Sequence, residues 1–328
     1  MIITKTPLRI SFFGGGTDYP AYYEAHGGEV LSTSIDQYVY LTVSRLNPLF
    51  EHRIRVAYSR TELVREVAEI EHPSVRGCLR HLGLESGLEI SVTADLPART
   101  GLGSSSAFTV GLLHALHAQR GELLSREALA REAIHVEQKV IGERVGSQDQ
   151  VGTAIGGFNR IHFSKDAGFS VEPLPLPDER RRALQHRLLL YFTGLARYAE
   201  DILDEQCERV NDNLATLARM RGHVAEATRI VCNPAGDLDD FGRLLDEGWR
   251  LKRSLSSKVS NSSVDAAYAA AKRVGALGGK LLGAGGGGFL LLYAAPDAHE
   301  SIAAALPSLT RVPFSFENGG TQLIYYRN

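Results

Sequence analysis

Residues 97–108, PARTGLGSSSAF, constrain the fold more than any other part of the chain. Ahead of them LEISVTADLP alternates Leu88, Ile90 and Val92 in the manner of a strand and stops at Pro97. Behind them SSSAFTVGLLHALHAQRG places Ala107, Val110, Leu113 and Leu116 at helical spacing, with Ser104 as the expected N-cap and Gly121 as the stop. A helix start leaves backbone N–H groups unpaired and carries the positive end of the helix dipole. Glycine allows close approach of the backbone and serine adds donors, so an anion, most naturally phosphate, fits such a junction. The plain alternative is a turn that uses Gly for geometry and Ser as a cap.

Two familiar phosphate patterns fail here. A dinucleotide fingerprint needs a third glycine where Ser106 stands and an acid ending the next strand. Instead a second helix, SREALAREAIHVEQKVIG, runs from Ser125 to near Gly142. A Walker A loop needs a hydroxyl after its lysine, and GALGGKL places Leu281 after Lys280.

Elsewhere RISFFGGGTDY reads as a strand broken by glycines, and VYLTVSRL and GGFNRIHFS as further strands. The Pro-rich VEPLPLPDERRR is the boundary signal, so domains 1–178 and 179–328 are expected. Beyond it come a strand, HRLLLYFTG, and helices around 200–232, 237–256 and 263–275. GGKLLGAGGGGFLLLYAA then reads as strand, tight turn, strand, before a helix near 299–306 and the last strands, RVPFSFE and TQLIYYR. The pattern is two α+β domains in tandem.

With 328 residues, 44% hydrophobic, and a net charge of −2 with both signs interspersed, nothing points to a nucleic-acid or membrane partner. The three cysteines lack zinc-ligand spacing, and the N-terminus lacks a basic region followed by an apolar core, so a cytoplasmic protein is expected. His114 and His117 share a helix face without an H-E-x-x-H pattern, so they are read as packed or solvated rather than metal-bound.

The pattern Pro-x-x-x-Gly-Leu-Gly-Ser-Ser-Ser resembles the second motif of the GHMP small-molecule kinases, the family of galactokinase, homoserine kinase and mevalonate kinase. PLRISFFGGGTDY near the start and KLLGAGGGGF near the end resemble that family's first and third motifs, in the same order. The resemblance implies a two-domain α+β architecture, a ribosomal protein S5 domain 2-like N-terminal domain and a ferredoxin-like C-terminal one. It implies ATP and Mg²⁺, with Pro97, Gly101, Leu102, Gly103, Ser104, Ser105 and Ser106 around the ATP phosphates.

The same resemblance makes Ser105 a metal ligand facing Glu137, a residue on the flank of the stripe Leu129, Ala133, Val136, Val140. Asp149, in the string HVEQKVIGERVGSQDQVG, becomes the group that orients or deprotonates the acceptor hydroxyl; its plain alternative is an Asx-turn residue. Arg9 is expected to pair with Asp149 or with the transferring phosphate. Gly15, Gly16, Thr17 and Asp18 are expected at the sugar, and Gly285, Gly286 and Gly287 over the substrate.

FGGGTDYPAYY, EQKVIGERVGSQDQVG, GGFNRI and GGKLLGAGGGGF resemble most the D-glycero-D-manno-heptose 7-phosphate kinases, and the EQ…QDQ string is similar to L-fucose kinases as well. The heptose branch implies phosphorylation of the anomeric hydroxyl to a 1,7-bisphosphate, on the way to nucleotide-activated heptose. Arg197 and Lys258 are possible holders of the distal phosphate, although each alone reads as surface charge. The expected partners are a sugar phosphate and ATP, with a homodimer possible. The alternatives are a kinase of a neutral sugar such as L-fucose or galactose, a catalytically silent nucleotide- and sugar-binding regulator, and a phosphorylating decarboxylase.

Overall fold

The computed structural model describes residues 1–194, 210 and 212–327. Arg197 and the beginning of the helix expected from about residue 200 lie outside them.

The first sheet grows on two long antiparallel strands, β1 (Ile2–Phe13) and β2 (Gly28–Arg45), joined through the short helix α1 (Pro20–His26). Along β1, burial alternates as far as Lys5 and is then continuous to Phe13. That change marks a strand that is covered on both faces in its second half. The chain continues through β3 (Ile54–Ala57), β4 (Thr61–Val64), α2 (Pro73–His81) and β5 (Leu88–Ala94) to the central helix α3 (Ser104–Gln119).

All of α3 from Ser104 to Ala118 is buried except Ser105. The apolar stripe seen in the sequence widens to the whole circumference because β1 and β2 cover one side and α4 (Arg126–His135) and α5 (Gln148–Ile155) the other. Ser104 is not the N-cap. Gly103 holds that place at φ 74°, and the Ser104 hydroxyl accepts the Arg99 N–H at 3.1 Å instead. His114 is buried against the Thr321 hydroxyl and His117 lies between Glu122 and Glu132, both packed as the sequence suggested.

After β6 (Phe158–Ser164), β7 (Gly168–Pro173) and α6 (Asp178–Gln185), the chain enters a second sheet at β8 (Leu188–Phe192). The helices α7 (Leu214–Cys232), α8 (Asp239–Leu255) and α9 (Ser262–Arg273) precede the hairpin β9 (Ala276–Leu281) and β10 (Phe289–Ala294). A short helix, α10 (His299–Ala305), then leads to β11 (Thr310–Val312). The spatial order β11-β8-β10-β9 is that of a split β-α-β, the ferredoxin-like arrangement.

The tandem division needs one correction. RVPFSFE is not a single strand: after β11 it crosses at Pro313 to the first sheet, where β12 (Phe316–Glu317) pairs with β2 and β13 (Gln322–Tyr326) with β1. The second unit therefore does not run to residue 328. The outer edge of β1 carries unpaired backbone groups, and β13 satisfies them. Among the described residues no helix is long and apolar enough to cross a membrane.

Candidate active site

The glycine loop before α3 is a backbone-to-backbone contact. Gly101 has φ 88°, and a Cβ on it would lie 2.4 Å from the Leu282 carbonyl oxygen. A Cβ on Gly283 would lie 2.4 Å from the Gly101 Cα, and one on Gly288 would lie 2.3 Å from the Thr100 oxygen. The Phe289 N–H donates to the Thr100 carbonyl at 3.2 Å. The second and third glycine-rich motifs thus interlock, and glycine is required because side chains would separate them. Gly285 and Gly286 lean on the turn after α8, where the Gly286 N–H donates to the Val259 carbonyl at 3.0 Å, and Gly287 is buried. Gly101→Ala should cost on the order of 3 kcal/mol through its left-handed backbone and the displaced Leu282 carbonyl. Thermal melts read this as a clear drop in Tm; an unchanged Tm would mean the interlock is loose.

Within the loop, Leu102 is buried, while Pro97 and Ser105 are exposed. Glu137 lies in a widened turn, residues Val136–Ile141, that extends α4 and ends at Gly142 in the left-handed region. The extra residue in that turn rotates Glu137 inward, to 1% exposure, and Val140 outward. The partner of Glu137 differs from the expected one. Ser106, one position further round the helix than Ser105, donates to Glu137 Oε2 at 3.0 Å, and Gln150 Nε2 donates to the same oxygen at 2.5 Å. Glu137 Oε1 is buried with no hydrogen-bond partner. Burial, helped by Glu143, pushes the carboxyl up to about 8 against the pull of Thr109, Gln150 and Ser106.

Asp149 stands in the first turn of α5 rather than in a loop. Arg9 Nε donates to its Oδ1 at 2.8 Å and Nη2 to its Oδ2 at 2.7 Å, while Nη1 donates to the Gly101 carbonyl at 2.7 Å. Arg9 is 2% exposed, so this is a buried bidentate clamp and not a surface ion pair. It ties Asp149 directly to the glycine loop.

Asp18 is fully buried beneath the same carboxylate. Its Oδ1 accepts the Gly16 N–H at 2.9 Å and its Oδ2 the Gln148 N–H at 3.3 Å. Burial first and the Asp149 charge second push its carboxyl up to about 6, with the backbone donors opposing. The folded protein therefore binds this proton more tightly than the unfolded chain, and Asp18 withdraws stability as pH rises from about 4 to about 6. Relative to wild type, Asp18→Asn should gain stability across that window, on the order of 3 kcal/mol. Chemical denaturation at pH 4 and pH 7 checks it; a difference independent of pH would show that Asp18 titrates normally.

Thr17 belongs to the frame rather than to the open site. Its hydroxyl donates to the carbonyls of Gly14 and Glu29 at 2.8 and 2.9 Å and accepts the Glu29 N–H at 3.1 Å. Lys258 is exposed in the turn after α8, one residue before Val259. Arg253 makes an exposed ion pair with Asp265.

Two buried lysines join the site. Lys280 donates to the carbonyls of Ser11 and Phe12 at 3.0 and 2.9 Å, and burial, with Arg9 adding to it, pushes its ammonium down to about 7. Lys252 donates to the carbonyls of Leu281 and Gly283, and burial beside Lys280 and Arg9 holds its ammonium well below the usual range. Lys252 was findable, because it falls on the apolar stripe Phe241, Leu245, Trp249 of α8. Lys280 was visible only as a failed Walker lysine.

The profile described as "GHMP kinases N terminal domain" matches residues 73–157, and "GHMP kinases C terminal" matches residues 225–310. A D-glycero-alpha-D-manno-heptose 7-phosphate kinase of Campylobacter jejuni is 29% identical over 317 residues, 93% of each chain. An L-fucokinase/L-fucose-1-P guanylyltransferase of Bacteroides fragilis is 27% identical over 88% of this chain and 34% of its own length. Among solved structures, a D-glycero-D-manno-heptose 1-phosphate kinase from Bacteroides thetaiotaomicron superposes over 100% of both chains with a TM-score of 0.80 at 25% identity. With both profiles in chain order, their glycine motifs interlocked and an arginine-clamped carboxylate beside them, the chain belongs to the GHMP kinases and is a phosphotransferase acting on a hydroxyl group.

Proposed function

We propose that this kinase transfers the terminal phosphoryl group of ATP to the anomeric hydroxyl of D-glycero-D-manno-heptose 7-phosphate, giving the 1,7-bisphosphate and ADP. The observation that carries the reaction is the Arg9 clamp, which fixes Asp149 against the Gly101 carbonyl of the glycine loop. The choice of sugar rests on the heptose kinase relative, which matches nearly the full length of this chain.

In this reading the ATP phosphates lie at the start of α3, where backbone N–H groups of the loop meet them. Each Asp149 oxygen holds one Arg9 donor and keeps a lone pair for the acceptor hydroxyl. The carboxylate orients that hydroxyl toward the terminal phosphorus. A bond forms from the sugar oxygen to phosphorus, the bond to the bridging oxygen breaks, and the hydroxyl proton passes to Asp149. Such a transfer asks the protein mainly for positioning and charge neutralisation. Arg9 supplies fixed positive charge at the glycine loop, while Lys252 and Lys280, whose charged forms burial disfavours, brace the backbone carbonyls behind it.

The residues present fit Mg²⁺, a hard cation that takes one or two carboxylates together with substrate phosphates. Glu137 offers a buried carboxylate oxygen without a partner, and Ser105 an exposed hydroxyl at the same helix start. When bound, the ion neutralises charge on the phosphates. Ser105→Ala should raise the Mg²⁺ concentration needed for half-maximal turnover about tenfold or more. Ser106→Ala, which strips Glu137 of a buried donor, should act first on Tm. A Mg²⁺ titration of both variants checks this, and the reverse pattern would make Ser106 the ligand.

A neutral-sugar kinase is the second reading, favoured by the fucokinase relative. A coupled ADP-release assay over mannoheptose 7-phosphate, L-fucose and galactose separates the two. Highest kcat/KM on the phosphorylated heptose supports the proposal, and preference for a neutral sugar overturns it.

A further inference from the structure

The three glycines at 14–16 do not share one purpose. Gly14 has φ +82°, and a Cβ on it would lie 1.9 Å from the Glu29 carbonyl oxygen; Gly16 has φ +100°. At both, the backbone requires glycine. Gly15 lies outside the left-handed region, and the nearest atoms to a Cβ there would be Gln148 Nε2 at 3.6 Å and Ser11 Oγ at 3.8 Å, ordinary contact distances. Alanine would fit, so what this glycine provides is room.

The side chains bordering that room are polar and unsatisfied. Ser11 Oγ and Gln148 Oε1 are both buried without a hydrogen-bond partner, and Ser11 is 6% exposed. Native proteins leave few such atoms, and each calls for a reason. Their place in the fold supplies one. Ser11 follows Arg9 by two residues on β1 and so shares its face, and Gln148 directly precedes Asp149 at the start of α5. The unsatisfied pair therefore borders the carboxylate clamp.

We propose that Ser11 and Gln148, both beside the open side of Gly15, form a niche that reads a second hydroxyl of the acceptor sugar, next to the one oriented by Asp149. A sugar hydroxyl entering the niche donates to Gln148 Oε1 and accepts from the Ser11 hydroxyl, so both orphaned atoms gain partners. Whichever way the Gln148 amide is turned, it presents an acceptor and donors. A site built this way discriminates strongly against a sugar lacking the hydroxyl, because its own polar groups then stay unpaired. The niche rests on the sugar-kinase reading above but not on the heptose assignment within it.

The test uses Ser11→Ala and Gly15→Ala in the full chain, with sugar and ATP varied separately and melts recorded alongside. The sugar is whichever one the wild type phosphorylates best among mannoheptose 7-phosphate, L-fucose and galactose. The expected result is a sugar KM raised about 10- to 100-fold in each variant, with the KM for ATP within about twofold of wild type. Tm should hold for Gly15→Ala and hold or rise for Ser11→Ala, which removes an orphaned hydroxyl. A purely structural role predicts the reverse, a lower Tm with both KM values unmoved, and overturns the niche. Unchanged sugar KM in both variants also overturns it while leaving the kinase reading intact. A wild type that prefers a neutral sugar overturns only the heptose assignment, and one that phosphorylates no sugar overturns both readings.

Discussion

Asp149→Asn should lower kcat by about 10²- to 10⁴-fold, the range for losing a positioned acid–base group, while the KM for ATP stays within about twofold. The reason is geometric. Asparagine keeps one oxygen for Arg9 but turns an amide N–H₂ toward the other, where the second guanidinium N–H or the sugar hydroxyl needs an acceptor. The hydroxyl then lacks both its orientation and a place for its proton. Asp149 is partly solvated, with 29% of its side chain exposed, so the loss of stability should be smaller than for a fully buried pair. Steady-state kinetics with each substrate varied checks the split. Turnover near the wild-type rate would remove Asp149 from the mechanism.

Arg9→Lys should be nearly as damaging, and in a different way. The guanidinium makes three directed contacts from a 2% exposed position: two to Asp149 and one to the Gly101 carbonyl. Lysine brings the charge but one nitrogen, which cannot span both carboxylate oxygens and that carbonyl. We expect kcat to fall about 10²- to 10³-fold. Because Arg9 also braces the glycine loop, the KM for ATP should rise, unlike in Asp149→Asn. Tm should fall as the Gly101 carbonyl loses its partner. An Arg9→Lys enzyme with wild-type kcat and ATP KM would show that the fork geometry is unimportant.

Local chemistry was legible from the residues. The strand-to-helix junction at 97–108, the helix beginning at Ser125 and the glycine turn between β9 and β10 all follow from spacing and turn residues. What escaped depends on contacts distant in sequence. β12 and β13 look like a continuation of the second domain, and only the pairing of β12 with β2 and of β13 with the open edge of β1 shows where they belong. Glu137 and Val140 exchange burial because the turn after α4 is widened, which a 3.6-residue period cannot reveal. Ser106 rather than Ser105 meets Glu137 because α3 turns Ser106 inward and Ser105 to the surface. Lys280 is buried where β9 meets β1, so nothing local distinguishes it from a solvated lysine, whereas Lys252 lies on the apolar stripe of α8.

The central claim is that the phosphoryl group of ATP arrives on the anomeric oxygen of a heptose that already carries a phosphate. The most direct measurement is phosphorus NMR of the wild-type protein incubated with ATP, Mg²⁺ and D-glycero-D-manno-heptose 7-phosphate. The account predicts ADP together with a new phosphate resonance coupled to the anomeric proton, the 7-phosphate signal being retained. ATP consumption no faster than without the sugar, or a new phosphate on any other carbon, would contradict it.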